Sequence, residues 1–411
     1  MKALVVAGGM PQITLIKQLK ERGIETVLVD GSKTPVALPH ADKFVNVNIF
    51  DTEAVKKIAV EEKVDFLITV CADQVLLVVA KVSEELGLPC YIDYETAKLV
   101  SDKELMKKIF AENDIPTSKY VVMDSFDIEK TKGLTYPLIV KPVDAYSSKG
   151  VKKVLNEEEL IAAFEEAKNI SRSKSAIVEE FFEGEEISVD LFVEDGKANV
   201  LLISNSDKIK DKDHFVIFRG KCPVHASDEL KAEIAKVSQR IADAFKIKNA
   251  PMLVQILTDG KRVTVLEFCA RTGGAMKWLL IQHASGVDVI KSVIDLTLGI
   301  KPEISLGAPE TKYIVNDFIY CREGIYDRIE GFDEQLSNGN ITDYRMLRPR
   351  GWKFSGQIAS STDRLCGVTF QDDTLEGLNK KHREFVESVK VLDNKGNDIM
   401  RHDLLPDISD Q

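Results

Sequence analysis

The first hundred residues constrain the fold more than any other part of the chain. Strand-like and helix-like stretches alternate there: KALVVAG, a helix from about Ile13 to Arg22, TVLVD, KFVNV, a helix around 52–62, DFLITV, a helix over 74–86, then PCYI. This alternation predicts a parallel sheet with helices on both faces. Gly8-Gly9 closes the first strand and Asp30 ends the second, which invites a dinucleotide site. The G-x-G-x-x-G fingerprint is absent, however, and Pro11 falls where a pyrophosphate-binding helix should begin. A structural turn, or a small substrate pocket at the sheet edge, is the better reading.

At 411 residues the chain is too long for one core and suggests roughly two to four domains. A net charge of -11 argues against nonspecific nucleic-acid binding, so an anionic ligand needs positive charge supplied locally. Apolar runs such as LLVVA at 76–80 are too short to span a membrane, and the N-terminus reads as a first strand, not a cleaved leader. The six cysteines (71, 90, 222, 269, 321, 366) form no C-x-x-C pair. They suggest neither zinc nor redox chemistry, and read as small buried residues of a cytoplasmic protein.

Four stretches carry chemistry. Ser101 or Asp102 can cap a helix that places Lys103 in its first turn, where a cation is unfavourable unless an anion is near; a solvated helix lysine is the plainer alternative. In PLIVKPVDAYSSKGV (137–151), an apolar strand ends on Lys141, and a loop with Ser147, Ser148 and Gly150 follows. A lysine in so apolar a strand needs an anion, and small loop residues let backbone N–H groups wrap phosphate oxygens. After a helix at 156–169, strand 176–180 runs through Glu179 and Glu180 into Phe181-Phe182 and Gly184, acids around an aromatic pair that suit a nucleoside. Residues 204–225 read as a charged loop in which His214 and His225 are solvated or structural. Helix 227–246 follows. Beyond Pro302 an α+β piece is expected, with short strands, a helix over 374–388 and a loose tail from about 396.

The fourth stretch is the predicted hairpin at 251–277, with Gln255 and Glu267 either side of Asp259-Gly260, and Arg271, Gly273 and Gly274 after its second strand. A Glu267–Arg271 salt bridge is the plain alternative to a site, and as a surface pair it would contribute only ~0 to 1 kcal/mol. A two-residue turn would put Gln255 and Glu267 on opposite faces; a three-residue loop, or an equivalent bulge, would put both on one face. The latter is expected.

In this order the stretches resemble the ATP-grasp ligases, over about residues 1–303. The resemblance implies an α/β and α+β multidomain fold: a Rossmann-like pre-ATP-grasp domain at 1–98, an ATP-grasp domain at 99–303 with a lid at about 118–182, and a C-terminal α+β subdomain at 304–411. It implies ATP as co-substrate with Mg2+ or Mn2+. Lys103 and Lys141 would contact phosphates, with Ser147 and Ser148 in the covering loop, as in D-alanine–D-alanine ligases. Glu179, Glu180 and the backbone through Phe182, including Phe181, would receive adenine, and Glu186 the ribose. Glu267 would ligate the metal beside Gln255. The R-x-G-G of Arg271, Gly273 and Gly274 is similar to that of bacterial L-amino-acid ligases, where it holds the reacting carboxylate. Arg364, in SSTDRLCG, would reach the substrate pocket or else pair with Asp363 or another acid. Two positions depart from the usual E-x-N-x-R pattern and its first acid: Cys269 and Gln255, poorer ligands for a hard cation.

The implied activity is ATP-dependent joining of a small carboxylate to a small amine through an acyl phosphate, with Arg271 and Lys141 as catalytic groups. A bicarbonate-activating enzyme of carboxylase or carbamoyl-phosphate type and a nucleotide-binding regulator without turnover are the alternatives. Neither nucleic acid nor membrane is an expected partner. Oligomeric state is open, with a homodimer the commonest default.

Overall fold

The computed structural model describes residues 1–144, 150–209, 216–274 and 276–409. The N-terminal alternation gives four parallel strands in the order Lys43–Asn46, Glu25–Asp30, Lys2–Val6, Phe66–Ile68. Strand side chains alternate between faces. Leu4, Val6, Val27 and Val29 therefore pack with Val55 and Ile58 and with Val75 and Val78, from helices Thr52–Glu62 and Asp73–Leu86. Ala3, Val5 and Leu28 pack with Leu15, Ile16 and Leu19 of helix Met10–Glu21 on the other face.

The first turn is a structural one. Gly8 N donates to Asp30 Oδ2 at 2.7 Å, Ala37 N donates to Gly8 O at 3.0 Å, and a Cβ on Gly8 would meet Pro35 Cβ at 2.6 Å. The 31–37 loop thus closes over the glycines. The expected strand PCYI does not form. Pro89 offers no N–H to a neighbouring strand, and the chain enters a helix instead, Tyr94–Ser101, capped by the Asp93 carboxylate.

Within the expected lid, Tyr120–Met123, Ala176–Glu180, Leu138–Pro142 and Lys152–Val154 form an antiparallel sheet in that order, backed by helix Glu157–Ile170. The largest sheet is antiparallel with eight strands: Val263–Cys269, Ala250–Thr258, Glu185–Glu194, Lys197–Lys208, Ile217–Cys222, Tyr313–Ile319, Cys366–Asp372, Asp343–Met346. Helix Asp228–Ala244 covers one face, while Lys277–Ser285 and Val289–Thr297 join the core shared with the N-terminal sheet. Three strands of this sheet come from beyond residue 303, which also supplies a small sheet of Lys353–Phe354, Gly324–Glu330 and Lys390–Asp393.

Two expectations change. Much of the charged 204–225 stretch is strand, since Lys197–Lys208 and Ile217–Cys222 pair with each other; Asn205, Ser206, Lys208 and Lys221 line clefts. His214 lies outside the described residues. The segment after 396 is also held through Ser409. Met400 bridges to Cys321, Leu405 and Ile408 are buried, and Asn379 bonds Ile408 through both its amide ends. Two apolar residues inserted into a groove overcome the composition of a polar tail. All six cysteines are free, and among the described residues no helix is long and apolar enough to cross a membrane.

Candidate functional site

The hairpin Ala250–Thr258/Val263–Cys269 places its polar residues by a bulge. The register runs Thr258↔Val263 and Ile256↔Val265, then jumps to Gln255↔Glu267, leaving Leu266 as the extra residue. Gln255 and Glu267 are therefore direct cross-strand partners on one face. The flanking chain docks at the same place: Val265 N donates to Pro116 O at 2.7 Å, and Thr117 Oγ1 donates to Val265 O at 2.9 Å. Gln255 Nε2 donates to Glu186 Oε1 at 3.1 Å, Glu186 pairs with Lys208 at 2.5 Å, and Glu267 pairs with Lys103 at 3.2 Å.

Lys103 opens helix Lys103–Glu112, which the Asp102 carboxylate caps by accepting from Glu104 N and Leu105 N. Burial weighs against its ammonium, but Glu267, with Asp73 and Cys269 near it, more than offsets this and holds its pKa above the ordinary lysine value.

Arg271 does not pair with Glu267. Its guanidinium makes two parallel hydrogen bonds to the Asp73 carboxylate, at the first turn of helix Asp73–Leu86, which packs against the N-terminal sheet. A third bond reaches Thr272 O at 2.8 Å. Burial pushes Asp73 up, but Arg271 outweighs it and leaves the carboxyl below its usual range. Cys269, at the departure from the family pattern, is turned to Asp73; burial drives its thiol well above the ordinary value, so it stays protonated. Gly273 is where backbone must come close, because a Cβ there would sit 2.9 Å from Asp190 Oδ1 and 2.7 Å from Lys277 Cγ. Lys277 pairs with the buried Asp190 at 3.4 Å and bonds Ser204.

The strand lysine of the four-stranded antiparallel sheet finds its anion inside the protein. Glu179, buried at 3% exposure, accepts from Lys141 at 2.5 Å and from Lys107 at 2.7 Å. Burial would raise the Glu179 carboxyl, yet Lys141 and Lys107 together hold it at about 2. Lys107 also bonds Thr117 Oγ1 at 2.7 Å, and burial, with Lys141 nearby, depresses its pKa. Helix Lys103–Glu112 thus touches both the hairpin, through Lys103, and the strand Ala176–Glu180, through Lys107.

Of the other expected residues, Glu180 accepts from Thr135 N at 3.0 Å and Phe181 N donates to Pro137 O at 2.9 Å. Lys153 lies over the Phe181 ring at 3.7 Å, and Arg262 over Phe182 at 5.0 Å. Ser147 and Ser148 lie outside the described residues.

A cavity of about 460 Å³ brings together Glu186, Gln255, Glu267, Arg271, Gly274, Lys277 and Arg364 with Asp73, Gln74 and Ser188. Arg364 pairs with no acid among the described residues. Asp363, its expected partner, is engaged in capping a short turn, where its carboxylate accepts from Ala359 N and Ser360 N. Among the described residues no group of three or more His, Cys, Asp or Glu is placed to hold a metal. Glu267, the Gln255 amide and Glu186 supply oxygens for a hard cation of the magnesium kind only if phosphate or water completes its shell.

Asp73, Lys107, Asp190 and Lys277 were missed from sequence. Asp73 reads as an ordinary acid in a helix's first turn, Lys107 as a helix-face lysine, and Lys277 as a residue after the glycine pair. Asp190 alone left a signal, being an acid inside the apolar run ISVDLFV.

A family model described as ATP-grasp domain matches residues 134–278, and one described as ATP-grasp N-terminal domain matches residues 18–90. The carbamoyl phosphate synthase large chain of Clostridium acetobutylicum is 23% identical over 292 residues, covering 68% of this chain and 26% of that one. The chain spans less than half the length of the first curated relatives it matches, at 26%, 48% and 40%. The crystal structure of an L-amino acid ligase from Bacillus licheniformis matches with a TM-score of 0.79 at 20% identity, over 96% of this chain and 98% of that one. The biotin carboxylase domain of the Hydrogenobacter thermophilus 2-oxoglutarate carboxylase, a dimer crystallised with MgADP, ADP and bicarbonate, matches with a TM-score of 0.80 at 16% identity, over 98% and 92%. At these identities the likeness to solved structures is one of fold.

Proposed function

We propose that this chain, which carries an ATP-grasp domain and has the ATP-grasp fold, is an ATP-dependent carboxylate–amine ligase working through an acyl phosphate. The observation that carries this reading is the Arg271–Asp73 pair. It opens, beside Glu267 and Gln255, onto one cavity that also holds two further cations, Lys277 and Arg364. A guanidinium fixed by a carboxylate from another domain is a rigid fork for an anionic reactant, so little orientation remains to be lost when the reactant binds.

In the proposed reaction a carboxylate oxygen attacks the γ-phosphorus, the bond to the β-phosphate oxygen breaks and ADP leaves. The amine then attacks the acyl carbon, phosphate departs, and the nitrogen loses a proton. Lys103 and Lys141 neutralise charge on the phosphates, and Arg271 holds the carboxylate and its phosphorylated form. Glu267, with Gln255 and with Glu186 in place of its expected part at the ribose, would hold magnesium, which when bound screens the phosphate charge. Because the Glu179 carboxylate is taken by Lys107 and Lys141, its part is to aim Lys141. Adenine is left the backbone between Glu180 and Phe182 and the Phe182 ring. The lid keeps water from the acyl phosphate.

The test is ADP release across a matrix of carboxylates and amines, with mass measurement of products. Release that needs both an organic acid and an amine supports the reading. Release that bicarbonate alone drives, or ATP binding with no ADP across the whole matrix, defeats it.

A further inference from the structure

Three cations line the cavity, and they are not equivalent. Arg271 is matched by Asp73, and Lys277 by Asp190. Arg364 is 8% exposed and has no acid partner among the described residues. Its Nε donates to Tyr320 OH at 3.0 Å, its Nη2 donates to Ile217 O at 2.7 Å, and the guanidinium stacks on Phe318 at 3.8 Å. These partners are neutral. A guanidinium has five N–H donors and cannot shed its proton, so a nearly buried one without a counter-charge is costly. Nη1 has no hydrogen-bond partner among the described residues, on a side chain that lines the cavity.

Arg364 is also far from the phosphate-binding cations. It lies over strands Ile217–Cys222 and Tyr313–Ile319, the fifth and sixth of the eight-stranded sheet counted from the strand that carries Glu267. At the usual strand spacing this is roughly 20 Å across the sheet. The neighbouring lining mixes apolar Val216, Phe318, Met276 and Leu280 with the uncharged polar residues Asn316 and Ser361. One unmatched guanidinium in a wall with no acid of its own calls for an organic ligand with an anionic head.

Resting on the ligase reading above, we infer that one of the two substrates carries a second anionic group, a carboxylate or a phosphate beyond the reacting atoms, and that Arg364 binds it. Arg364 then sets which substrates are accepted, at the end of the cavity away from the nucleotide phosphates.

The experiment uses the full chain, wild type and the variants Arg364→Met and Arg364→Lys. Acids and amines are supplied in matched sets that lack a second anion, carry a second carboxylate, or carry a phosphate monoester. The expected result is turnover confined to sets with the second anion, the better of the two anionic sets telling carboxylate from phosphate. The KM for that substrate should rise by about 10- to 100-fold in Arg364→Met, as for loss of hydrogen bonds to a charged group. The KM for ATP should hold within about twofold, a split that general damage to the fold would not give. Arg364→Lys, which keeps the charge and loses the fork, should fall between; it carries the test if Arg364→Met does not fold. Efficient turnover of substrates without a second anion, unaffected in the variants, overturns the inference and leaves the ligase reading standing, as does a loss that falls on ATP. If no set is turned over, calorimetry with succinate and inorganic phosphate decides. Binding of either to wild type and its loss in the variants supports the inference; equal binding, or none, overturns it.

Discussion

Two buried arginines sit within a few strands of each other and have opposite surroundings. Arg219, 1% exposed, makes a bidentate pair with Asp317 at 2.6 and 2.7 Å, touches His382 at 3.0 Å, and donates to Pro406 O at 2.9 Å and Asp407 O at 3.3 Å. His382 in turn meets Asp317 at 2.9 Å. Every face of Arg219 is answered from within the chain, and the carboxyl of Asp317, although burial opposes it, is held far below its ordinary range by Arg219. Arg364 has two neutral acceptors and a ring. A cation the protein neutralises itself is scaffold, whereas one left unmatched at a cavity wall points to a ligand.

The contrast breaks first on stability. Arg219→Met leaves Asp317 buried without its counter-charge and should lose about 3 to 5 kcal/mol in urea unfolding. Arg364→Met abandons no acid and should lose much less. Equal losses would mean that Arg364 is scaffold too.

Arg271 combines both kinds: matched by Asp73, yet facing the cavity. Arg271→Ala should lower kcat/KM by about 10²- to 10³-fold in steady-state assays, the usual cost of one charge-stabilising donor. Asp73→Asn, which keeps the shape and removes the fixing charge, should fall short of that. An Asp73→Asn variant with wild-type turnover would sever the link between the N-terminal sheet and the reaction.

The Glu179 cluster sharpens the contrast by acid titration. The Glu179 carboxyl is held at about 2 against an ordinary 4.5. A depressed carboxylate adds stability above its unfolded pKa and loses it as the pH falls through its folded value, so the relevant window runs from about pH 4.5 down to about 2. Across that window Glu179→Gln should lose less stability than wild type, by on the order of 3 kcal/mol in urea midpoints taken at a series of pH values. Identical pH curves would show that Lys107 and Lys141 do not hold Glu179 charged.

The smallest expected effect is at Gln255. Gln255→Glu adds a carboxylate beside Glu267 and Glu186 and should tighten magnesium dependence by about tenfold, since hard cations favour charged oxygen ligands. A magnesium titration of ADP release at fixed ATP reads this, and a weaker or unchanged dependence would remove Gln255 from the metal site.

What could be read from the sequence follows the range of each interaction. The N-terminal sheet, the strands of the sheet around Lys141 and the Gln255–Glu267 face rest on local signals: alternation, glycine turns and acids inside apolar runs. The bulge at Leu266 was readable as a requirement, because period-two geometry demands an odd residue if both polar side chains share a face. Asp73 with Arg271, and Lys107 with Glu179, lie 198 and 72 residues apart in sequence. Asp73 and Lys107 do not differ locally from ordinary helix residues. The order of 204–208 was hidden because polar residues that line a cleft and polar residues in water have the same composition, and that of the tail because two apolar residues, Leu405 and Ile408, anchor an otherwise polar segment.

The central claim is that a carboxylate oxygen of the substrate attacks the γ-phosphate. The most direct measurement supplies the protein with ATP, an amine mixture and carboxylic acids labelled with ¹⁸O in the carboxylate, and weighs the released phosphate by mass spectrometry. An acyl-phosphate route leaves one carboxylate oxygen on phosphate, so the account predicts one ¹⁸O in each phosphate released. Unlabelled phosphate formed together with the coupled product would contradict it.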